Sequence, residues 1–123
     1  MRSTARRTVA RPGRGDVWVT DLGLAAKVRP CLVLSVPFDE KERALVTLVP
    51  HTTRARGSRF EVPIRLRFLA EGAFDAQSLI TVPDIKLVRQ LGRLHAAELS
   101  LVERAVASWL GLRLLEPPPG MTD

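Results

Sequence analysis

The side chains able to do acid–base, nucleophilic or phosphate chemistry in this 123-residue chain are few in kind: one Cys, two His and a large excess of Arg. One Cys and two His are too few for a metal-spaced ligand cluster. The chain has no Gly-Lys-Ser/Thr phosphate loop, no dinucleotide fingerprint and no G-x-S-x-G elbow. No metal and no cofactor is therefore expected. Tyr is absent and aromatics make up 5%, which argues against base-stacking platforms. What remains is cation and hydroxyl, concentrated in the basic stretch His51-Thr52-Thr53-Arg54-Ala55-Arg56-Gly57-Ser58-Arg59. If the chain is an enzyme acting on nucleic acid, it must work without a strongly bound metal or a standard triad, on a substrate that brings its own nucleophile. RNA does, because its 2′-hydroxyl can attack the adjacent phosphate. A protein then needs only to orient the chain, move protons and stabilise one extra negative charge. Within the stretch, His51 is the group that titrates near neutral pH.

Charge points the same way. Basic residues number 19 against 13 acidic, for a net charge of +6, and only Lys27, Lys41 and Lys86 are lysines. Arg grips phosphates and carboxylates bidentately and stays charged when partly buried. A polyanionic partner is expected: nucleic acid, an acidic peptide, or both. Cys31 lies in the apolar run Pro30–Leu34 and reads as a small buried hydrophobe, not a catalytic thiol. No apolar stretch approaches the ~20 residues of a membrane span. The basic N-terminus lacks the apolar core of a signal peptide, so a cytoplasmic location is expected.

The elements that must position these residues follow from patterning. Residues 1–13 carry Arg2, Arg6, Arg7 and Arg11 among Ser, Thr, Pro and Gly, and read as a flexible basic arm. Residues 14–112 read as one domain and 113–123 as an irregular tail. Strands are predicted over Asp16–Leu22, Pro30–Val36, Ala44–Pro50, Arg59–Arg65, Ser78–Val82 and Leu87–Leu94, the last with a break near Gly92. The third is apolar nearly throughout, as a strand buried on both faces would be. His51–Ser58 reads as a loop and Glu71-Gly72 as a turn. Arg14 and Asp16 are expected to pair. A helix is predicted over Ala96–Leu110, with Leu99, Val102, Val106, Trp109 and Leu110 on one stripe. His95 and Glu98 are spaced as a capping box, and Gly111 is the C-cap signal. Short strands plus one terminal helix make a mainly β, α+β fold: a small curled barrel with helical additions.

Four segments together resemble the MazF/PemK toxin family. Arg14-Gly15-Asp16-Val17-Trp18 looks like its opening R-G-D-[IV]-[WY] strand, and Val28-Arg29-Pro30-Cys31-Leu32-Val33-Leu34-Ser35 like its R-R-P-[AV]-L-V-[LI]-S strand. Val46-Thr47-Leu48-Val49-Pro50-His51-Thr52-Thr53 is similar to its V-V-P-L-T-[ST] segment. Leu91-Gly92-Arg93-Leu94, with Leu110-Gly111-Leu112 after the helix, resembles its ending. The order and spacing of the pieces carry the match, over about residues 14–112.

The resemblance implies an SH3-like β-barrel of the MazF/PemK/CcdB type, forming a two-fold homodimer. It implies metal-independent, sequence-selective cleavage of single-stranded RNA, leaving a 2′,3′-cyclic phosphate and a 5′-hydroxyl. It implies an antitoxin whose acidic C-terminal segment occupies the RNA groove. The catalytic pair falls on Arg29 and Thr52, with Lys27, His51, Thr53, Arg54, Arg56 and Lys86 as RNA contacts. Family schemes give the Arg an acid/base role. A pKa above ~12 makes it a poor base, so charge stabilisation is the better expectation. Two features depart from the family pattern: the loop Gly23–Val28 is short, and Pro83-Asp84-Ile85-Lys86 stands where D-Q-[IVP]-R is usual. The alternatives are an inactive homologue or a non-catalytic, gyrase-poisoning toxin on the same barrel. The gyrase poison is expected to end in Trp-Gly-Ile, whereas here Trp109 is followed by Leu110 and Gly111.

Overall fold

The computed structural model describes residues 11–23 and 28–113. Seven strands are followed by one helix. They are β1 (Asp16–Asp21), β2 (Val28–Val33), β3 (Leu45–Thr52), β4 (Glu61–Pro63), β5 (Ala73–Asp75), β6 (Ile80–Pro83), β7 (Leu87–Arg93) and α1 (Ala96–Leu110). Two 3-10 turns, Ala76–Ser78 and Asp84–Lys86, precede β6 and β7. All pairings are antiparallel, in the order β4-β5-β3-β2-β1-β7, with β6 also on β3. β5 takes the end of β3 at His51 and Thr52, and β6 takes the other end, from Leu45 to Leu48.

The curl follows from connectivity. β6 pairs with β3 and β7 pairs with β1, two strands away, yet only Asp84–Lys86 joins them. The sheet must roll up to bring its flanks within reach of that turn. Register shifts between β1 and β7, at Val17/Trp18 and Val19/Thr20, add the local bend that rolling needs. The expected mainly β barrel with a terminal helix is thus present, as a strongly curled rather than fully closed sheet.

Both faces of the sheet are buried. Trp18, Cys31, Val33, Val46, Leu48, Val82 and Leu87 form one cluster. Val17, Leu32, Val49, Phe60, Phe74 and Leu94 form another, against Val102, Ala105 and Val106 of α1. This explains why β3 reads as an unbroken apolar run instead of an alternating one. Each fully buried Leu, Val or Phe here contributes roughly 1.5–3 kcal/mol. α1 has the predicted limits. Glu98 accepts from the His95 N–H at 2.8 Å, and Gly111 ends the helix in the left-handed region at φ 70°. The predicted stripe is right at Val102 and Val106. Leu110 is exposed, and Trp109 is 42% exposed with its ring edge-on to Phe60 at 5.3 Å.

Several expectations require correction. β2 begins at Val28 and ends at Val33, although the Leu34 N–H still reaches Thr47 O at 2.9 Å. β3 continues through His51 and Thr52, because β5, not foreseen, pairs with them. β4 is only Glu61–Pro63, and β6 starts at Ile80. The residues ahead of β6 form a 3-10 turn whose Gln77 N–H and Ser78 hydroxyl donate to Asp75. β7 runs on through Gly92, and the break expected near it is a register shift against β1 between Gly92 and Gln90. A Cβ on Gly92 would lie 2.4 Å from the Phe68 ring, so the glycine makes room for an aromatic. Arg14 and Asp16 do not pair with each other. Arg14 pairs with Glu103 of α1, and buried Asp16 pairs with Arg93 at 2.7 Å. Residues 11–13 of the expected arm are tied down. Arg11 donates to Phe38 O at 2.9 Å and lies over its ring, and Gly13 N–H donates to Asp16 at 2.7 Å. The rest of the arm, the residues 114–123 of the tail, and Lys27 with most of the short loop lie outside the described residues. Among the described residues no helix is long and apolar enough to cross a membrane.

Candidate active site

A cleft of about 250 Å³ opens where β2 begins and β3 ends. It is lined by Val28, Arg29, Pro30, His51, Thr52, Thr53 and Arg54, with Leu69 and Ala70 from the segment before β5. The register explains the convergence. β2 and β3 pair Val33 with Leu48, Leu32 with Val49 and Cys31 with Pro50. The pairing of β2 with β3 ends at Cys31 and Pro50, so Arg29 and Thr52 both stand two residues beyond it, at the same end of the two strands. On its other side Arg29 is the partner of Thr20 of β1, which is fully buried. Arg29 is therefore anchored along β1 and is half-buried.

The cleft favours anions. Among the described residues, Arg29 and Arg54 line it, no carboxylate does, and neither arginine makes an ion pair. An unpaired, partly desolvated guanidinium has its full fork free for a phosphate. The Thr52 hydroxyl accepts from the Arg54 N–H at 3.0 Å, fixing the turn that leaves β3. Accepting there leaves its own proton free to donate. The turn-fixing role and a phosphate-donor role are thus compatible in one side chain.

His51 is 4% exposed. Continuation of β3 separates it from Thr52 by strand alternation, so it turns onto the core while Thr52 stays half-exposed. Its ring meets Phe74 edge-on, at 5.0 Å between centroids and 73° between planes. Nε2 is buried and has no hydrogen-bond partner among the described residues. Leaving such an atom unpaired costs about 1–3 kcal/mol. Burial, and secondarily the Arg29 charge, hold the imidazole pKa below its ordinary 6.5. Gly72 is bare for the same reason the ring fits. A Cβ there would stand 2.1 Å from Thr52 O and 2.8 Å from His51 Cε1.

The basic stretch beyond Thr52 divides. Thr53 and Arg54 belong to the cleft; Arg56 and Arg59 are exposed outside it. The loop is shaped by the Glu61 carboxylate, which accepts from the Arg56 N–H at 2.9 Å and the Ser58 N–H at 2.8 Å. Those bonds hold Glu61 below its usual carboxylate pKa. Arg59 lies over the Phe60 ring at 4.5 Å. Lys86 is on the turn Asp84–Lys86 and does not line the cleft. Of the residues expected at the site, the structure brings together Arg29, His51, Thr52, Thr53 and Arg54, and leaves Arg56 and Lys86 outside. Leu69, Ala70 and the Gly72–Phe74 support could not be singled out beforehand. Their only sequence mark was the Glu71-Gly72 turn, which says nothing about what the turn packs against.

Cys31 is fully buried, as expected of a hydrophobe, and burial pushes its thiol up to about 11. A thiol so held is a poor nucleophile near neutral pH.

Comparison with known proteins identifies the family and the fold. The family model of PemK-like, MazF-like toxins of type II toxin–antitoxin systems matches residues 13–110. Among solved structures, an endoribonuclease from a mycobacterial species superposes with a TM-score of 0.72 at 26% identity, covering 88% of this chain and 99% of that one. A mycobacterial endoribonuclease in complex with its cognate antitoxin gives 0.70 at 26%, covering 87% and 100%. A MazE–MazF structure from Deinococcus radiodurans gives 0.73 at 26%, covering 85% and 100%.

Proposed function

Because this chain belongs to the PemK-like, MazF-like toxins of type II toxin–antitoxin systems, we propose that its cleft cuts single-stranded RNA without a metal. The carrying observation is that Arg29 and Thr52, from two strands, share one cleft that, among the described residues, has cations and no carboxylate in its lining. In the reaction the 2′-hydroxyl attacks its neighbouring phosphorus and loses its proton. The bond from phosphorus to the 5′-oxygen breaks, and that oxygen gains a proton. The products are a 2′,3′-cyclic phosphate and a 5′-hydroxyl end. Negative charge grows on the non-bridging oxygens on the way. Arg29 binds these oxygens with its fork, and Thr52 donates its hydroxyl to one of them. Preorganised donors of this kind act where charge develops. Arg29 does not take the proton, because a guanidinium does not ionise near neutral pH. Thr53 and Arg54 hold the RNA backbone beside the scissile phosphate.

The partner follows from the same electrostatics. An antitoxin with an acidic C-terminal segment competes for the cleft, since a carboxylate satisfies Arg29 and Arg54 as a phosphate does. The protein works as a homodimer. Val28, Ile85 and Val88 stand exposed around β2 and β7 and supply apolar surface for a second copy. A non-catalytic, gyrase-binding role has no comparable support, since Trp109 lies within α1 with its ring edge-on to Phe60.

The test is incubation of the purified protein with a long RNA in EDTA, with the ends mapped, alongside Arg29→Ala and Thr52→Ala. Cuts bearing 5′-hydroxyl ends, lost in Arg29→Ala, are expected. Absence of cutting, or cutting indifferent to both substitutions, overturns the assignment.

A further inference from the structure

Of the chain's two Trp residues, Trp18 is 9% exposed and belongs to the core, whereas Trp109, near the end of α1, is 42% exposed. The Trp109 indole meets the Phe60 ring at 5.3 Å between centroids, and the Arg59 guanidinium lies over that same ring at 4.5 Å. Phe60 is buried in the core, so it fixes an exposed guanidinium and a half-exposed indole side by side. Both are flat groups of the kind on which nucleobases stack, and the guanidinium also carries N–H donors at its rim.

The loop between β3 and β4 joins this pair to the cleft. It leaves from Thr52, which pairs with Ala73 at the start of β5. It arrives at Phe60, whose carbonyl accepts from the Ala76 N–H, just past the end of β5, at 3.0 Å. The loop therefore runs the length of β5, with Arg54 at the cleft, Arg56 between and Arg59 at the far end. Among the described residues none of these three arginines makes an ion pair. Glu61 spends its carboxylate on the N–H groups of Arg56 and Ser58, which fixes the loop's backbone without engaging a guanidinium.

We propose that Arg59 and Trp109 form a second nucleotide site: single-stranded RNA held by a phosphate in the cleft runs out along Arg54 and Arg56, and one of its bases stacks on the Arg59 guanidinium and the Trp109 indole. An acidic peptide fits this surface less well. Its carboxylates would use the guanidinium rim alone, whereas a nucleotide uses the two flat faces with its base and the rim with its phosphate. Stacking of this kind tolerates any base, because every base has a π-face. The site therefore adds affinity for longer RNA without adding a letter to the recognised sequence. The proposal rests on the RNA reading of the cleft given above and extends it.

The experiment needs no cleavage. Dye-labelled 2′-fluoro RNA oligonucleotides of increasing length, which lack the attacking hydroxyl, are titrated at several salt concentrations into wild type, Trp109→Ala, Trp109→Phe, Arg59→Ala and Arg59→Lys, with melting curves for each. Anisotropy of the dye gives Kd. Acrylamide quenching reads Trp109, since Trp18 is shielded by burial. Long oligonucleotides should protect Trp109 from acrylamide, and short ones should bind without protecting it. Trp109→Ala should weaken binding of the long oligonucleotides by about 10-fold more than that of the short ones. Trp109→Phe keeps a π-face and should recover most of that loss. Arg59→Ala should lower the salt slope for long oligonucleotides by roughly 0.7, the share of one phosphate contact on a single strand. Arg59→Lys should restore the slope but not the full affinity, because an ammonium offers no plane. Trp109 left open to acrylamide by every oligonucleotide, or an equal loss at all lengths in Trp109→Ala, overturns the proposal. So does protection by poly-glutamate and not by RNA, which would mark a peptide surface, or protection by protein concentration alone, which would mark an interface between copies. Wild type that shows the length-dependent protection yet cuts no RNA overturns the cleavage reading instead.

Discussion

Arg93 and Arg29 stand against opposite ends of β1 and are used differently. At the first end, Arg93 pairs with buried Asp16, and Arg14 pairs with Glu103 while donating to Leu34 O at 2.6 Å. These arginines tie β1, β7 and α1 together, and their charge is spent within the molecule. At the other end, Arg29 and Arg54 face a cleft and are unpaired among the described residues. The same side chain is a clamp where a carboxylate meets it and an anion receptor where none does. Arginine content alone therefore indicates little about nucleic-acid binding, and the location of the acidic partners decides.

Substitutions at the two ends should separate the roles. The largest effect is expected for Arg29→Ala. Loss of one preorganised donor costs about 10²- to 10³-fold in kcat. Its urea midpoint should stay near that of wild type, since Arg29 makes no ion pair among the described residues whose loss would strand a carboxylate. A large loss of stability would make Arg29 a structural residue like Arg93. Arg93→Ala should do the opposite. It leaves the Asp16 carboxylate, which is 4% exposed, with the Gly13 N–H but no cation, and should cost about 2 kcal/mol in equilibrium unfolding, less than a fully buried pair because Arg93 is itself mostly exposed. Cleavage per folded molecule should be retained. A weaker, pH-dependent term belongs to His51. Well above pH 6.5 the residue is neutral in both folded and unfolded chains. Below that value the unfolded chain takes up a proton that the folded one resists. This contribution should make stability fall as the pH drops from 6.5 toward the lowered folded pKa. His51→Leu should flatten that part of the urea-midpoint profile. The smallest effect is at Cys31, whose thiol is buried and pushed up to about 11. Iodoacetamide near neutral pH should label it only after denaturant is added.

Much of this was legible in the chain. The limits of α1 could be read because their causes are local: a backbone bond from His95 to Glu98, and a glycine able to turn left-handed at 111. The core of β3 could be read because burial on both faces leaves an apolar run. The family resemblance pointed to Arg29 and Thr52, and the structure places both in one cleft. The expected pairing of Arg14 with Asp16 failed because sequence proximity is a poor guide to ion pairs in a strand, where the true partners, Glu103 and Arg93, come from distant elements. His51 could not be placed either. Its burial depends on β5, three residues long, whose pairing extends β3 beyond Pro50.

Patterning and charge were enough to determine a basic, mainly β domain with one terminal helix, because hydrophobic period, capping and composition act over a few residues at a time. Only the tertiary structure decided which arginines are paired, that Arg56 and Lys86 stand outside the cleft, and that His51 lies inside its wall. Those outcomes depend on strand register and on contacts between residues far apart in the chain.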